Sequence, residues 1–143
     1  MDVTRVLIVD DEEEFARALA ERMRNRGMEV DTVFNGGEAL KAVKSRPYDA
    51  IILDLAMPGM DGIETLKGML ATNADLQVII LTGQATVSKG VEAVKEGAFE
   101  FLEKPVRLEA LVEKIDQAKS RGTILTEAKM NDMIDEIMKR KGW

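Results

Sequence analysis

The residues in this chain that could do chemistry are mostly acids, and they stand at the ends of short apolar runs. Asp10 and Asp11 follow the run Arg5 to Val9 (RVLIV), with Glu12 to Glu14 behind them. Asp54 follows Ala50 to Leu53 (AIIL), Thr82 follows Gln77 to Leu81 (QVIIL), and Lys104 and Pro105 follow Phe99 to Leu102. The chain contains no histidine and no cysteine. The commonest general base, the commonest zinc ligand, a phosphohistidine, disulfides and thiolate metal sites are all excluded within it. Its chemistry must run on carboxylates, hydroxyls, lysine, backbone groups and metal.

Each of these residues has an ordinary role open to it. Asp10 or Asp11 could cap a helix, Glu12 to Glu14 could form a solvated helix start that favours the dipole, and Asp54 could open a turn. Thr82 could bond backbone at a strand end, and Lys104 could be a surface lysine. Their joint placement is what argues for a site. Two like charges about 4 Å apart repel by roughly 4 kcal/mol at an effective dielectric near 20. Carboxylates that converge must raise a pKa or recruit a cation, and all-oxygen ligands suit magnesium. Asp10, Asp11 and Asp54 are therefore expected to form a magnesium-type site, with Lys104 offsetting part of the charge. A metal there would also let an anionic phosphoryl group approach.

The elements that must position these residues alternate. The apolar runs at Arg5 to Val9, Glu29 to Val33, Ala50 to Leu53, Gln77 to Leu81 and Phe99 to Leu102 read as strands. Between and after them lie helical patterns. Phe15, Leu19 and Met23 recur at four-residue spacing, with Gly27 as a left-handed stop. Gly37 to Lys44 ends before Pro47, and Ile63 to Leu70 follows the turn-rich LAMPGMDG segment. Val87, Val91 and Val94 mark a fourth helix that Gly90 weakens. Leu108, Leu111, Val112 and Ile115 mark a fifth. Five strand-helix units imply an α/β fold with a parallel sheet covered on both faces. Ligands bind such sheets at the carboxyl ends of strands, the rim to which four of the five strands here deliver a polar or charged residue. Two strand orders are common, and the pattern does not choose between them.

The ordered set RVLIVDDEEEF, LDLAMPGMDG, VIILTG and FEFLEKP resembles response-regulator receiver domains, from about Arg5 to Ala118. The resemblance implies a flavodoxin-like doubly wound five-stranded sheet in the order 2-1-3-4-5. It implies that Asp54 is the phosphoacceptor, attacking a phosphohistidine on a sensor histidine kinase or phosphotransfer protein. Asp11, Asp54 and the backbone carbonyl of Ala56 would ligate Mg2+ or Mn2+ directly, and Asp10 through water. Lys104 and Thr82 would each hold a phosphoryl oxygen. Thr82 and Phe101 would form a switch, and Pro105 would follow a cis peptide bond. Ala56 and Gln84 stand where the family tunes its hydrolysis rate. Such a domain is not an enzyme in the usual sense, since it catalyses only its own phosphorylation and dephosphorylation.

The formal charge of −6 disfavours direct contact with nucleic acid. No apolar stretch approaches a membrane span, and the N-terminus is no signal peptide, so a cytoplasmic protein is expected. The domain is expected over residues 1–119. Ser120 to Gly122 interrupts the pattern, and 120–143 is expected to carry a separate helix from about Thr126 to Lys141. Its stripe of Met130, Met133, Ile134, Ile137 and Met138 is expected to pack on its own domain; pairing with another protomer, giving a homodimer, or with a partner is the alternative. A stand-alone receiver acting on a downstream protein is preferred over a fragment lacking its output domain. Two other function classes are weaker. A flavin carrier needs a hydroxyl- and glycine-rich phosphate loop where Asp10, Asp11 and Glu12 stand. An aspartyl phosphatase needs a second acid where Ala56 stands.

Overall fold

The computed structural model describes residues 3–56, 61–83 and 86–142. Ten elements alternate along the chain: β1 (Arg5–Val9), α1 (Glu13–Arg24), β2 (Glu29–Val33), α2 (Gly36–Ser45), β3 (Ala50–Asp54), α3 (Gly62–Thr72), β4 (Val78–Thr82), α4 (Val87–Lys95), β5 (Glu100–Glu103) and α5 (Leu108–Arg140). The strands form one sheet in the order β2-β1-β3-β4-β5, and all four pairings are parallel. The expected fold class and strand order are both borne out.

Burial explains why the strands read as unbroken apolar runs. Every residue of β3 and β4 is buried, and β1 is buried from its second residue on. A central parallel strand has helices on both faces, so neither of its sides can be polar. The edge strands β2 and β5 are only partly covered and carry Asp31, Thr32, Glu100 and Glu103. One face of the sheet packs Leu7, Ile51, Leu53 and Ile80 against Ala39 of α2, Leu66 and Met69 of α3 and Ala93 of α4. The other packs Val6, Ile8, Ile52 and Ile79 against Ala16, Ala20 and Met23 of α1 and Leu111, Ile115 and Ala118 of α5.

Local signals set the helix ends. Gly27 has a φ of +89° just past α1, the left-handed conformation that a side chain would oppose. Asn35 accepts the Glu38 amide while Glu38 accepts the Phe34 amide, closing the start of α2. Asp61 accepts the amides of Ile63 and Glu64 at the start of α3. The last part of LAMPGMDG thus serves as a helix cap.

The C-terminal region departs from expectation in two ways. The C-terminal helix is present, but Ser120 to Gly122 does not separate it from α5. One helix of 33 residues runs from Leu108 to Arg140. A single glycine costs a helix only about 1 kcal/mol, too little to break one anchored at its start by Leu111, Ile115 and Ala118. The hydroxyls of Thr123 and Thr126 bond back to the carbonyls of Lys119 and Gly122. Nor does the Met/Ile stripe pack on the domain: Met130, Met133, Ile134, Ile137 and Met138 are 47–62% exposed. At 100° per residue the stripe is turned roughly a quarter turn from the Leu111–Ile115–Ala118 line that faces the sheet. Met130 and Met133 stand at a cleft between helix and domain, and Ile134, Ile137 and Met138 do not line it. Among the described residues, no helix is long and apolar enough to cross a membrane.

A Cβ built on Gly122 meets only Gln77 Cγ, at 3.7 Å, an ordinary contact. Gly122→Ala is therefore expected to raise stability by about 0.5–1 kcal/mol, read as a higher urea midpoint at unchanged slope. A lower midpoint would mean that the helix is strained at this point.

Candidate phosphoacceptor site

The sheet topology builds the site. The chain leaves β1 for one neighbour on each side, β2 and β3, so the strand order reverses beside β1 and opens a crevice at the carboxyl rim. The register sets Val9 beside Leu53, Asp54 beside Leu81, and Thr82 beside Glu103. Asp10, Asp54, Thr82 and Lys104 therefore come up side by side. Asp10 and Asp54 are each 1% exposed and Thr82 is fully buried.

Lys104 reaches into this crevice. Its ammonium donates to Asp54 Oδ2 at 2.9 Å and lies 3.8 Å from Asp10 Oδ2. The peptide bond between Lys104 and Pro105 is cis, as the family resemblance implies. The other carboxylate oxygens are held by backbone. Ala56 N–H donates to Asp54 Oδ1 at 2.9 Å, and Glu12 N–H donates to Asp10 Oδ1 at 2.9 Å. Asp10 Oδ2 is buried and has no hydrogen-bond partner.

The electrostatics follow from this crowding. Burial is the main force that pushes the Asp10 carboxyl up to about 6. The Asp54 charge adds to it, while the Glu12 amide and Lys104 oppose it. For Lys104, burial pulls downward, but the hydrogen bond to Asp54 and the charges of Asp54, Asp10 and Glu12 together raise its pKa. The ammonium is held as a cation because it faces an excess of anions.

Asp10, Glu12 and Asp54 each offer one oxygen, and these three atoms lie within 4.8 Å of one another. A divalent cation fits this donor set: the ligands are hard oxygens, and Asp10 Oδ2 is a buried acceptor with no hydrogen bond and only the Lys104 ammonium 3.8 Å away. Asp11, half-buried beside the cluster, is not one of the three. Ala56 is placed at the site by its amide. Gln84, and Met57 to Met60 of the LAMPGMDG segment, lie outside the described residues.

Thr82 Oγ1 donates to the Leu102 carbonyl at 3.4 Å, so its hydroxyl is turned toward β5. Phe101 is half-buried on β5. Gly90 of α4 lies against both, and a Cβ there would stand 2.9 Å from Thr82 Cγ2 and 3.0 Å from Phe101 Cδ2. The glycine that weakens α4 as a helix is what lets α4 close over the Thr82–Phe101 pair.

Sequence reasoning missed three contributors. Glu12, read as helix-start solvation, belongs to the acid cluster. Gly90, read as a propensity defect, is a close-approach residue. Phe15, read as part of the helix's apolar stripe, is 39% exposed, and its ring centre lies 4.8 Å from the Lys104 ammonium, within cation–π range. An aromatic residue in the first turn after an acid pair was the available signal, but four-residue spacing alone assigned it to the core.

Comparison with known proteins agrees with this geometry. The model of the response regulator receiver domain family matches residues 6–116. Response regulator MprA of Mycobacterium ulcerans is 33% identical over 130 residues, which cover 91% of this chain and 56% of the relative. Transcriptional regulatory protein ZraR of Salmonella typhimurium is 34% identical over 113 residues, 79% of this chain and 26% of the relative. The chain thus spans about a quarter to about half the length of these relatives. The crystal structure of a response regulator receiver domain protein from Clostridium thermocellum superposes with a TM-score of 0.82 at 31% identity, covering 86% of this chain and 99% of that one. Five parallel strands in the order 2-1-3-4-5, buried aspartates at the switch point and a lysine salt-bridged to both of them meet in one chain with a family match over most of its length: the protein belongs to the response-regulator receiver family.

Proposed function

We infer that this chain accepts a phosphoryl group on Asp54 from a phosphohistidine of a sensor histidine kinase or phosphotransfer protein, and passes the change on to a downstream protein. The observation that carries this reading is the salt bridge from Lys104 to the buried, crowded Asp54. An ionised carboxylate needs no base to act as nucleophile. Its oxygen bonds to phosphorus as the bond from phosphorus to the donor imidazole breaks, and the imidazole leaves with the electron pair and takes up a proton. Phosphoryl transfer depends on positioning and on neutralising the equatorial oxygens. Lys104 supplies one cation for this and passes from Asp54 Oδ2 to a phosphoryl oxygen. The Phe15 ring lies 4.8 Å from the ammonium, close enough to favour its charge. Thr82 releases the Leu102 carbonyl and donates to a second oxygen, and the Ala56 amide lies within reach of the same carboxylate.

Asp10 and Asp54 would hold a magnesium or manganese ion, joined by Glu12 or by Asp11 and the Ala56 carbonyl as the family resemblance implies. Such an ion supplies charge neutralisation for the approaching phosphoryl group. The chain turns over no separate substrate in this reading. Movement of Thr82 toward Asp54 would free space beside Phe101 and Gly90. That would shift the surface of α4 and β5 between two populations.

Native protein incubated with acetyl phosphate and magnesium is expected to gain one phosphoryl mass by intact-mass measurement, and Asp54→Asn to gain none. Equal gain in both, or gain in neither, contradicts the reading.

A second expectation concerns Asp10. Its folded pKa, about 6, lies above the ordinary 3.8, so between those values the native state binds more protons than the unfolded one. Metal-free protein should lose stability as pH rises from about 4 to 6, with the loss complete above that window. Asp10→Asn should remove this loss and gain roughly 1–3 kcal/mol at pH 7.5. It should also lose most of the rise in melting temperature that magnesium gives the parent. Thermal melts across pH, with and without magnesium, check both parts.

Gly90→Ala is expected to cost about 1–3 kcal/mol through overpacking against Thr82 and Phe101, measured by urea unfolding. It should also perturb the NMR signals of both residues. Unchanged stability and unchanged signals would show that α4 does not constrain the pair.

A further inference from the structure

We propose that the exposed stripe on the extension of α5 is a self-association surface, on which a second copy of this chain lies antiparallel with its twofold axis near Ile134. Two observations carry this. The stripe of Met130, Met133, Ile134, Ile137 and Met138 lies on a helix that runs beyond the domain, and the chain's own domain leaves all five residues 47–62% exposed. The extension faces the underside of the domain across a cleft of about 550 Å³ whose helix side includes Gly122, Thr126, Glu127, Met130 and Met133, so the first half of the stripe rims this cleft while Ile134, Ile137 and Met138 do not line it, and the Lys129–Asp75 ion pair links helix to domain there.

The second observation is charge. Counting out from Ile134, Met130 and Met138 are equidistant on the two sides, and so are Glu127 and Lys141. Both charged residues lie on the line of the stripe, and neither takes part in an ion pair among the described residues. Antiparallel pairing sets each Glu127 beside the partner's Lys141 and each Met130 beside the partner's Met138, and it opposes the two helix dipoles. Parallel pairing would set Glu127 on Glu127 and Lys141 on Lys141. Methionine, unbranched and polarizable, fills a small interface of this kind well. So small a patch belongs to the weak class of association, so the dimer should form at about micromolar to submillimolar concentration.

The chain has no cysteine, which makes the test direct. Met130→Cys and Met138→Cys variants of the full chain, mixed in equal amounts and oxidised, should give mainly the mixed disulfide. Sedimentation equilibrium of the unmodified chain from about 10 μM to about 1 mM should show a monomer–dimer equilibrium. Glu127→Lys should weaken it about tenfold, and Glu127→Lys with Lys141→Glu should restore it. All four changes lie on the exposed face, and unchanged circular dichroism would confirm that the helix survives. A monomer throughout the range, or disulfides of Met130→Cys mainly with itself, overturns the proposal. The cysteine and sedimentation readouts do not involve Asp54, so they stand or fall independently of phosphoryl transfer.

Discussion

Three carboxylates and one ammonium share the carboxyl rim of the sheet, and most of the molecule is arranged around that imbalance. The central strands are apolar on both faces because helices cover both faces, so polar groups can appear only where the strands end. At that rim Asp10 and Asp54 are almost completely buried, and burial penalises the charge of Asp10. Lys104 cannot neutralise both, and the unbonded Asp10 Oδ2 marks the shortfall. The resting site is thus a destabilised arrangement held by the stability of the sheet beneath it. Added positive charge would relieve it, and a divalent ion held by these carboxylates would supply that charge.

That strain is connected to the rest of the molecule through very few atoms. Thr82 is fully buried and its hydroxyl is engaged with the Leu102 carbonyl, so it cannot serve Asp54 and β5 at once. Gly90 leaves no slack on the other side, because α4 lies in van der Waals contact with Thr82 and Phe101. A close-packed interior responds to such a displacement by changing to another packed arrangement, not by yielding gradually.

Much of this was legible in the residues. β3 and β4 could be read because a strand buried on both faces leaves a run such as AIIL or VIIL with no alternation. The rim residues could be read because each such run ends in a group that cannot be buried unpaired. Asp54 and Lys104, 50 positions apart, were brought together by topology that only the whole alternating pattern implies. The misreadings share one cause: each depended on which neighbour faces a residue, and periodicity carries no such information. Phe15 recurs with Leu19 and Met23 as a core residue should, yet its ring lies at the rim against Lys104. Glu12 reads as helix-start solvation, yet the course of the turn brings its carboxylate within 4.8 Å of those of Asp10 and Asp54.

The region around Ser120 and Gly122 shows how a small energy can decide a large feature. Intrinsic propensity there is poor, and a break would have left the following segment free to rotate and lay its methionines on the domain. The cost of continuing, about 1 kcal/mol for the glycine, is small beside the burial of Leu111, Ile115 and Ala118, which anchors the helix one turn earlier. Once the helix continues, its phase is inherited residue by residue. The line that faces the sheet at Ile115 fixes where Ile134 and Ile137 point more than five turns later. The same five apolar residues become surface instead of core, with no change in their own chemistry.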